Sequence, residues 1–528
     1  FMKHNGYATG NHGMVSSAHT LISQSGLDVL KQGGNAMDAC VAMANTSSVV
    51  LPDMAGLGGD VFLLYYEASS RQVYALNGAG AAPYKASKDH FLNKGYTRAP
   101  GTGIDSVALM GEARAIRMGL ERFGSMSFGE LCTDAIRLAE EGCPITSKVA
   151  RHLHTDYDKV KNNEILSSMF LHEDGTAKQT GELYTNKPLA DTLRYIAEHG
   201  LETCYEGKIA DSIIRLSNEK GGLITHEDLE DVSIKWEAPI SFDYHGHVIF
   251  QSPPVSQGII HLEEMNILSS LNIKDMDEAE LIHTMCEAKK LAFNDRLRWF
   301  GDPDHTDNPI EQCLDPEYGK ILAGMIDPNR SFDSDDLYGH IDGHTTSFVC
   351  VDQWGNGCSF IHSIANVFGS GEVTDTGIIL NDRMSGFSFV EGHPNEIEGG
   401  KRTMHTLNTY LICDHEGNLR YVGNTPGGDR QPQWNMQNLV MILDKGMDVQ
   451  SALNVPKWHD AQTDKGNILS IEETVGEEVL QTLRNKGHQL KVVGELMGSG
   501  ASQIIEISED GELRGGCDPR CDGCAIGY

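Results

Sequence analysis

Apolar residues recur at helical spacing near the N-terminus, at Leu21, Ile22, Leu27 and Leu30, until Gly33-Gly34-Asn35 supplies a break of the glycine C-cap type. The small residues from Ala36 to Asn45 predict a second helix that can approach its neighbours closely. The period then changes. Val61 to Tyr66 and Val73 to Leu76 are apolar runs separated by a polar turn, and they predict a β-hairpin covered on both faces. From about Gly111 to Lys290 helical spacing dominates, as in LCTDAIRLAEEG and LIHTMCEAKKLAFNDR, with no repeat or low-complexity segment.

Next comes IDPNRSFDSDDLYGHIDGH, ending at His344, rich in Asp, Gly, Pro and Asn and almost without apolar periodicity, which predicts an exposed, mobile loop. The pattern switches abruptly after it. Phe348 to Val351 is a short apolar run, Trp354 to Gly357 carries turn chemistry, and CSFIHSI reads as a second strand, so Thr345 stands at the mouth of a hairpin. From there to Tyr528 the chain reads as strand-rich and helix-poor. Helices in blocks and strands in blocks predict a layered α+β fold rather than a βαβ alternation.

With 528 residues and 40% apolar composition, the chain can bury a large core as one big domain or as two or three smaller ones. A net charge of −33 repels nucleic acid and anionic membrane alike, and an anionic small molecule would need a local basic pocket. The opening FMKHNGYATG has no apolar leader core, and no stretch approaches the length of a membrane span, so the expectation is a soluble cytoplasmic protein with no membrane partner. Phe1 ahead of Met2 reads either as an appended residue or as the mark of a trimmed leader. Most of the 12 cysteines stand singly in apolar segments, which suits reduced core thiols. Cys517, Cys521 and Cys524 are close enough in CDPRCDGC to share a metal, but no fourth ligand is evident; tail packing is the default, and no metal or cofactor is expected.

The Thr345-Thr346 pair, by default the start of a strand, has a second reading. A loop that delivers Thr345 to the first position of a buried strand suits a self-cleaving N-terminal nucleophile. An unassisted threonine hydroxyl is a poor nucleophile, but once Thr345 is N-terminal its own α-amine, with a pKa of about 7.7 to 8.0, can serve as base. No histidine stands in the Thr345 to Val351 run; His362 and His405 are the competing bases. Acyl transfer also needs donors for an oxyanion, and Gly427 and Gly428 in GNTPGGDRQ offer backbone that a ligand can approach. AGLGGD lacks the lysine of a phosphate loop and reads as sheet packing. NDRLRWFGDPDH, with His305, looks metal-like on paper but reads as structural.

In combination, GMVSSAHTLISQSGLDVLKQGGNAMDACVA, LPDMAGLGGDVFLLYY, IRLAEEGCPI, LAFNDRLRWFGDPDH, TTSFVCVDQWGNG, FGSG, GIILNDRM, TPGGDRQ and DPRCDG resemble the γ-glutamyltransferases of the N-terminal nucleophile hydrolase superfamily, nearly end to end. The resemblance implies a four-layer αββα sandwich cut between His344 and Thr345. Residues 1–344 would form a larger subunit and 345–528 a smaller one, together one folded unit, with a higher oligomer left open. It further implies Thr345 as nucleophile, Thr346 as supporting neighbour, Ser363 as a nearby hydroxyl, and Gly427 and Gly428 as oxyanion hole. Ser347 stands where the family usually has histidine.

The positions that grip a glutamyl group depart from the family. Ala79 replaces the arginine that holds its α-carboxylate, and Gly386 replaces the acid that holds its α-ammonium. Ala365 stands at an asparagine position, with Asn366 one step out of register, and His405 and Thr406 replace two carboxylate-binding serines. Arg383 lies where the family has a neutral amide residue, and Arg402 and Arg430 sit near the other site motifs. The segment from Phe387 to Lys401 is shorter than the family's lid. These changes predict an acylase or amidohydrolase acting on a small amide that carries a carboxylate but no free α-ammonium, with Arg383, His405, Thr406 and Asn366 in contact with it. In the bland reading, Arg383 pairs with Asp382 or Asp429 instead. The second functional reading is a relative that has lost turnover and serves as a binding or scaffold protein; retention of Thr345, Gly427 and Gly428 together favours the enzyme.

Overall fold

Alternation along two neighbouring strands, Thr346–Val351 and Gly357–Ser363, sets the arrangement of the layers. Phe348, Cys350, Cys358 and Phe360 point one way, into a core shared with Val61, Leu63, Tyr65 and the helices Thr20–Lys31 and Ala36–Val50. Val349 and Val351 point the other way and meet Leu64, Tyr66, Leu411, Val422 and Ile505. Phe348 and Phe360 stack with ring centroids 4.9 Å apart, and burial of each such side chain contributes roughly 1.5–3 kcal/mol.

The computed structural model describes residues 6–332, 344–463 and 466–528, so most of the expected mobile loop, residues 333–343, lies outside the described part. Two seven-stranded antiparallel sheets stand face to face. The first runs Cys524–Gly527, Met14–Ser17, Thr346–Val351, Gly357–Ser363, Asp60–Glu67, Gln72–Gly78, Lys235–Glu237. The second runs Ala8–Gly10, Leu513–Cys517, Gln503–Ile507, Leu419–Asn424, Thr409–Cys413, His247–Gln251, Ile240–Tyr244. On the outer face of the second, Phe242, Tyr244, Ile249, Tyr410 and Ile412 pack beneath the helices Gly258–Ser269, Glu278–Trp299 and Arg430–Leu439. The fold is therefore α+β, a four-layer αββα sandwich.

The expected N-terminal helices are present, the second opened by a capping box between Asn35 and Asp38. The hairpin is also found, as Asp60–Glu67 and Gln72–Gly78. Two block assignments need correction. The stretch expected to be helical holds the strands Lys235–Glu237, Ile240–Tyr244 and His247–Gln251, the last two of which form one end of the second sheet. The stretch after Thr345 carries the helices Arg430–Leu439, Val449–Asn454 and Glu477–Asn485 and a small third sheet. No helix among the described residues is long and apolar enough to cross a membrane.

Candidate active site

Thr345 directly precedes the strand Thr346–Val351, whose register opposes Thr346 to His362 and so leads Thr345 toward Ser363. Ser363 in turn opposes Asp60 on the next strand. These side chains face the space between the sheets. Thr345 Oγ1 donates to Ser363 Oγ at 3.2 Å, and Ser363 Oγ donates to the carbonyl oxygen of His344 at 2.8 Å. The Ala365 N–H donates to Ser363 Oγ at 2.9 Å, from a residue held at φ +79°. Left-handed backbone at a non-glycine residue costs roughly 1–3 kcal/mol, and here it aims a donor at the serine.

Gly427 and Gly428 follow the strand Leu419–Asn424 of the facing sheet and have φ of +133° and +59°. A Cβ on Gly427 would lie 2.5 Å from the Trp434 ring, so both conformation and packing require glycine there. The loop carbonyls are tied down: Gly427 O accepts from Arg430 Nε at 2.9 Å, and Gly428 O accepts from Gln257 Nε2 at 2.8 Å. Thr345 and Gly427 line one cavity of about 450 Å³, together with Lys148, Arg151, His152, Asp156, His344, Arg430 and Trp434.

Several expected contacts are different in the structure. Arg383 is buried, and its Nε donates to Asp60 Oδ2 at 2.9 Å, so Asp60 is its ion-pair partner. His405 Nε2 lies 3.0 Å from the same Asp60 oxygen, and Gly80 N–H donates to the other at 2.8 Å. Against burial, the largest single influence on it, the Asp60 carboxylate is held below its usual range by His405, then Arg383 and Gly80. Burial first, then Arg383, lowers the His405 pKa to about 4. Thr406 is buried and uses its carbonyl to accept from Gln257 Nε2. Asn366 donates from Nδ2 to Asp382 at 2.7 Å and pins two loops together. None of these four lines the Thr345 cavity.

Thr346 takes the other face of its strand: the pleat turns it away from Thr345, toward the helical layer, where its Oγ1 is buried and has no hydrogen-bond partner among the described residues. His362 faces the same way and is occupied at both nitrogens, by Ser47 Oγ at 2.7 Å and Glu112 at 3.0 Å, which removes it as a base for Thr345. Arg402 is engaged by Asp302 at 2.7 Å and Asp304 at 3.0 Å, whereas Arg430 does reach the cavity.

Residues 148, 151 and 152 were missed by sequence reading, although their charge cluster directly follows the IRLAEEGCPI motif. His152 Nδ1 meets Asp53 at 2.5 Å, and its ring packs edge-on against that of His344 at 4.9 Å. Burial, followed by His152, Lys148 and Arg430, lowers the His344 pKa to about 3. A second cavity of about 560 Å³ lies beside Gly386 and Asp429, lined by Phe293, Phe300, Phe387 and Phe389. An acidic side chain could not simply return at 386, because a Cβ there would lie 2.8 Å from Thr403 Oγ1.

Two buried groups elsewhere bring metal-ligand atom types together: His283, Glu287 and His488, and Glu263, Asp295 and Cys313. In the first, Glu287 already receives Lys290 at 2.8 Å, a cation that competes with any metal. At the tail, Cys517 Sγ and Cys521 Sγ are 3.5 Å apart, and Cys524 lies in the strand that pairs with Met14–Ser17.

Comparison with known proteins adds the lineage. A family profile described as gamma-glutamyltranspeptidase matches residues 22–528. The glutathione hydrolase-like YwrD proenzyme of Bacillus subtilis is 35% identical, over 98% of this chain and 99% of that protein. The oxamate amidohydrolase proenzyme of Klebsiella pneumoniae is 31% identical, over 98% of each. Among solved structures, a cephalosporin acylase from Bacillus halodurans superposes with a TM-score of 0.93 at 32% identity, covering 100% of this chain and 98% of its own.

Proposed function

Because the chain belongs to the gamma-glutamyltranspeptidase family, whose members are hydrolases and acyltransferases, we propose that it cleaves itself between His344 and Thr345 and then uses Thr345 to cut a small amide. The observation that carries this reading is the chain Thr345 Oγ1, Ser363 Oγ, His344 carbonyl, at 3.2 and 2.8 Å. As Thr345 Oγ1 attacks the His344 carbonyl carbon, its proton passes to Ser363 Oγ while the Ser363 proton passes to the carbonyl oxygen. No free base is needed. Collapse breaks the C–N bond as the intermediate's hydroxyl proton passes to the departing nitrogen, leaving Thr345 with a free α-amine and His344 esterified to its Oγ1; water then hydrolyses the ester, releasing the His344 carboxylate and restoring the Thr345 hydroxyl.

In the second reaction that amine takes the Thr345 hydroxyl proton as the hydroxyl attacks the substrate carbonyl. The N–H groups of the Gly427-Gly428 turn receive the oxyanion, and the ammonium returns the proton to the departing amine. Water, or a second amine, then accepts the acyl group from the ester.

Three features support a substrate other than a γ-glutamyl donor. Ala79 is buried in an apolar cluster, Gly386 offers no carboxylate, and Asp60 already neutralises Arg383. A glutamyl zwitterion would lose hydration without recovering partners. We infer a carboxylate-bearing amide without an adjacent ammonium, in line with the oxamate amidohydrolase relative. Twelve free thiols, ten of them buried, fit a reducing compartment, and the cytoplasm is the location we infer. The test is electrophoresis of wild type and Thr345→Ala under denaturing conditions, with glutaryl-anilide and γ-glutamyl-anilide as substrates. Two bands and faster glutaryl cleavage are expected in wild type, and one inactive band in the variant. An uncut wild type with amidase activity, or a uniformly inactive protein, contradicts the reading.

A further inference from the structure

The lining of the Thr345 cavity opposes the charge of the molecule. In a chain of net charge −33, it presents Lys148, Arg151 and Arg430 against one carboxylate, Asp156. Asp156 is itself engaged by Thr155 Oγ1 at 2.8 Å and lies 3.9 Å from Lys159. Lys148 and Arg151 stand three residues apart on the helix Ser147–Thr155, a spacing that puts both side chains on one face. Among the described residues, no hydrogen bond or ion pair holds either one. Burial lowers the Lys148 pKa, opposed by Cys521, by Asp53, already bound by His152, and by Asp522, so an anionic ligand would restore its charge. Arg430 is oriented from across the cavity by its bond to Gly427 O and by the Trp434 ring, 5.7 Å from its guanidinium carbon.

His344 shows which part of a substrate belongs there. It is the acyl-side residue of the bond that Thr345 would cut, and its side chain reaches into this cavity against His152. Burial is the first cause of the suppressed protonation of His344, and His152, Lys148 and Arg430 add to it. Once the preceding segment departs, the same space is free for another acyl group.

We propose that Lys148 and Arg151, with Arg430 facing them, form a carboxylate subsite that holds the anionic end of the acyl group, so that the substrate is a monoamide of a short dicarboxylic acid. The subsite rests on the reading of Thr345 as the acylated nucleophile. It moves carboxylate recognition from the buried Ala79 and Arg383 corner to the helix Ser147–Thr155. Arginine offers a planar fork to a carboxylate and lysine a compact charge, and in a partly enclosed cleft both act more strongly than on an open surface.

The test compares glutaryl-anilide with pentanoyl-anilide, which has the same chain length and no carboxylate. The wild-type ratio of kcat/KM should favour the glutaryl compound, and in Lys148→Gln/Arg151→Gln that ratio should fall by about tenfold or more. Self-cleavage of the double variant reports that its site has folded. Should it not fold, raising salt to about 0.5 M on the wild type reads the same contact, and the ratio should shrink as the charges are screened. A ratio unmoved by both the substitutions and salt overturns the subsite. Glutarate binding measured by calorimetry separates it from the reading beneath it. Binding that is lost in the double variant, in a processed protein that cuts neither anilide, retains the subsite and rejects the amidase; no glutarate binding by an active amidase does the reverse.

Discussion

Ser363 serves two atoms at once, accepting from the Thr345 hydroxyl and donating to the bond that hydroxyl is to attack. Its replacement by alanine should therefore slow self-cleavage by about 10²-fold, the scale of losing one positioned donor, as measured by the rate at which the single band converts to two. After cleavage the base changes identity. The α-amine must be neutral to accept a proton, so kcat/KM should rise with pH through the amine pKa, ordinarily about 7.7 to 8.0. A base at His405 would instead bring activity up near its pKa of about 4, and a pH–rate profile separates the two. The place of Thr345 just ahead of a buried strand was legible because a local switch from polar loop to apolar strand marks it. The partner of Arg383 was not, since Asp60 lies 323 residues away and Arg383 reaches it from a turn that Asn381 docks on the Gly58 carbonyl.

At the level of elements, the end of the Asp60–Glu67 strand, the Arg383 turn and the segment before Thr409–Cys413 are joined by a single buried carboxylate. Breaking a buried ion pair from one side leaves an unmatched charge, so Arg383→Gln should cost about 3–5 kcal/mol of stability in denaturant unfolding. An Asp60→Asn/Arg383→Gln double variant should recover part of that loss. Unchanged stability in the single variant, with altered substrate preference, would return Arg383 to the binding site. The Gly427-Gly428 turn makes a different demand. Gly427→Ala puts a Cβ against Trp434 at φ +133°, and kcat should fall by about 10²–10³-fold through displacement of the oxyanion donors. The sequence marked this turn by its paired glycines. It did not mark Ile240–Tyr244 and His247–Gln251 as strands, although ISFDY alternates apolar and polar residues, because flanking helical patterns dominated the window.

Over the whole molecule, each sheet is assembled from both sides of Thr345. The strands Thr346–Val351 and Gly357–Ser363 lie between Met14–Ser17 and Asp60–Glu67, so cutting the chain removes no ladder. The two segments should accordingly elute as one species in native size-exclusion chromatography and separate only in denaturant. The layered class was legible from the grouping of patterns. The interleaving was not, because register between segments hundreds of residues apart depends on packing partners that local periodicity does not encode. The claim beneath all of this is that Thr345 becomes an N-terminus and then carries the acyl group. Intact-mass measurement of protein mixed with glutaryl-anilide and quenched in acid tests it most directly. The account predicts two chains meeting at 344/345, with an added glutaryl mass confined to the chain that begins at Thr345; an acyl adduct on the other chain, or turnover by an uncut protein, would contradict it.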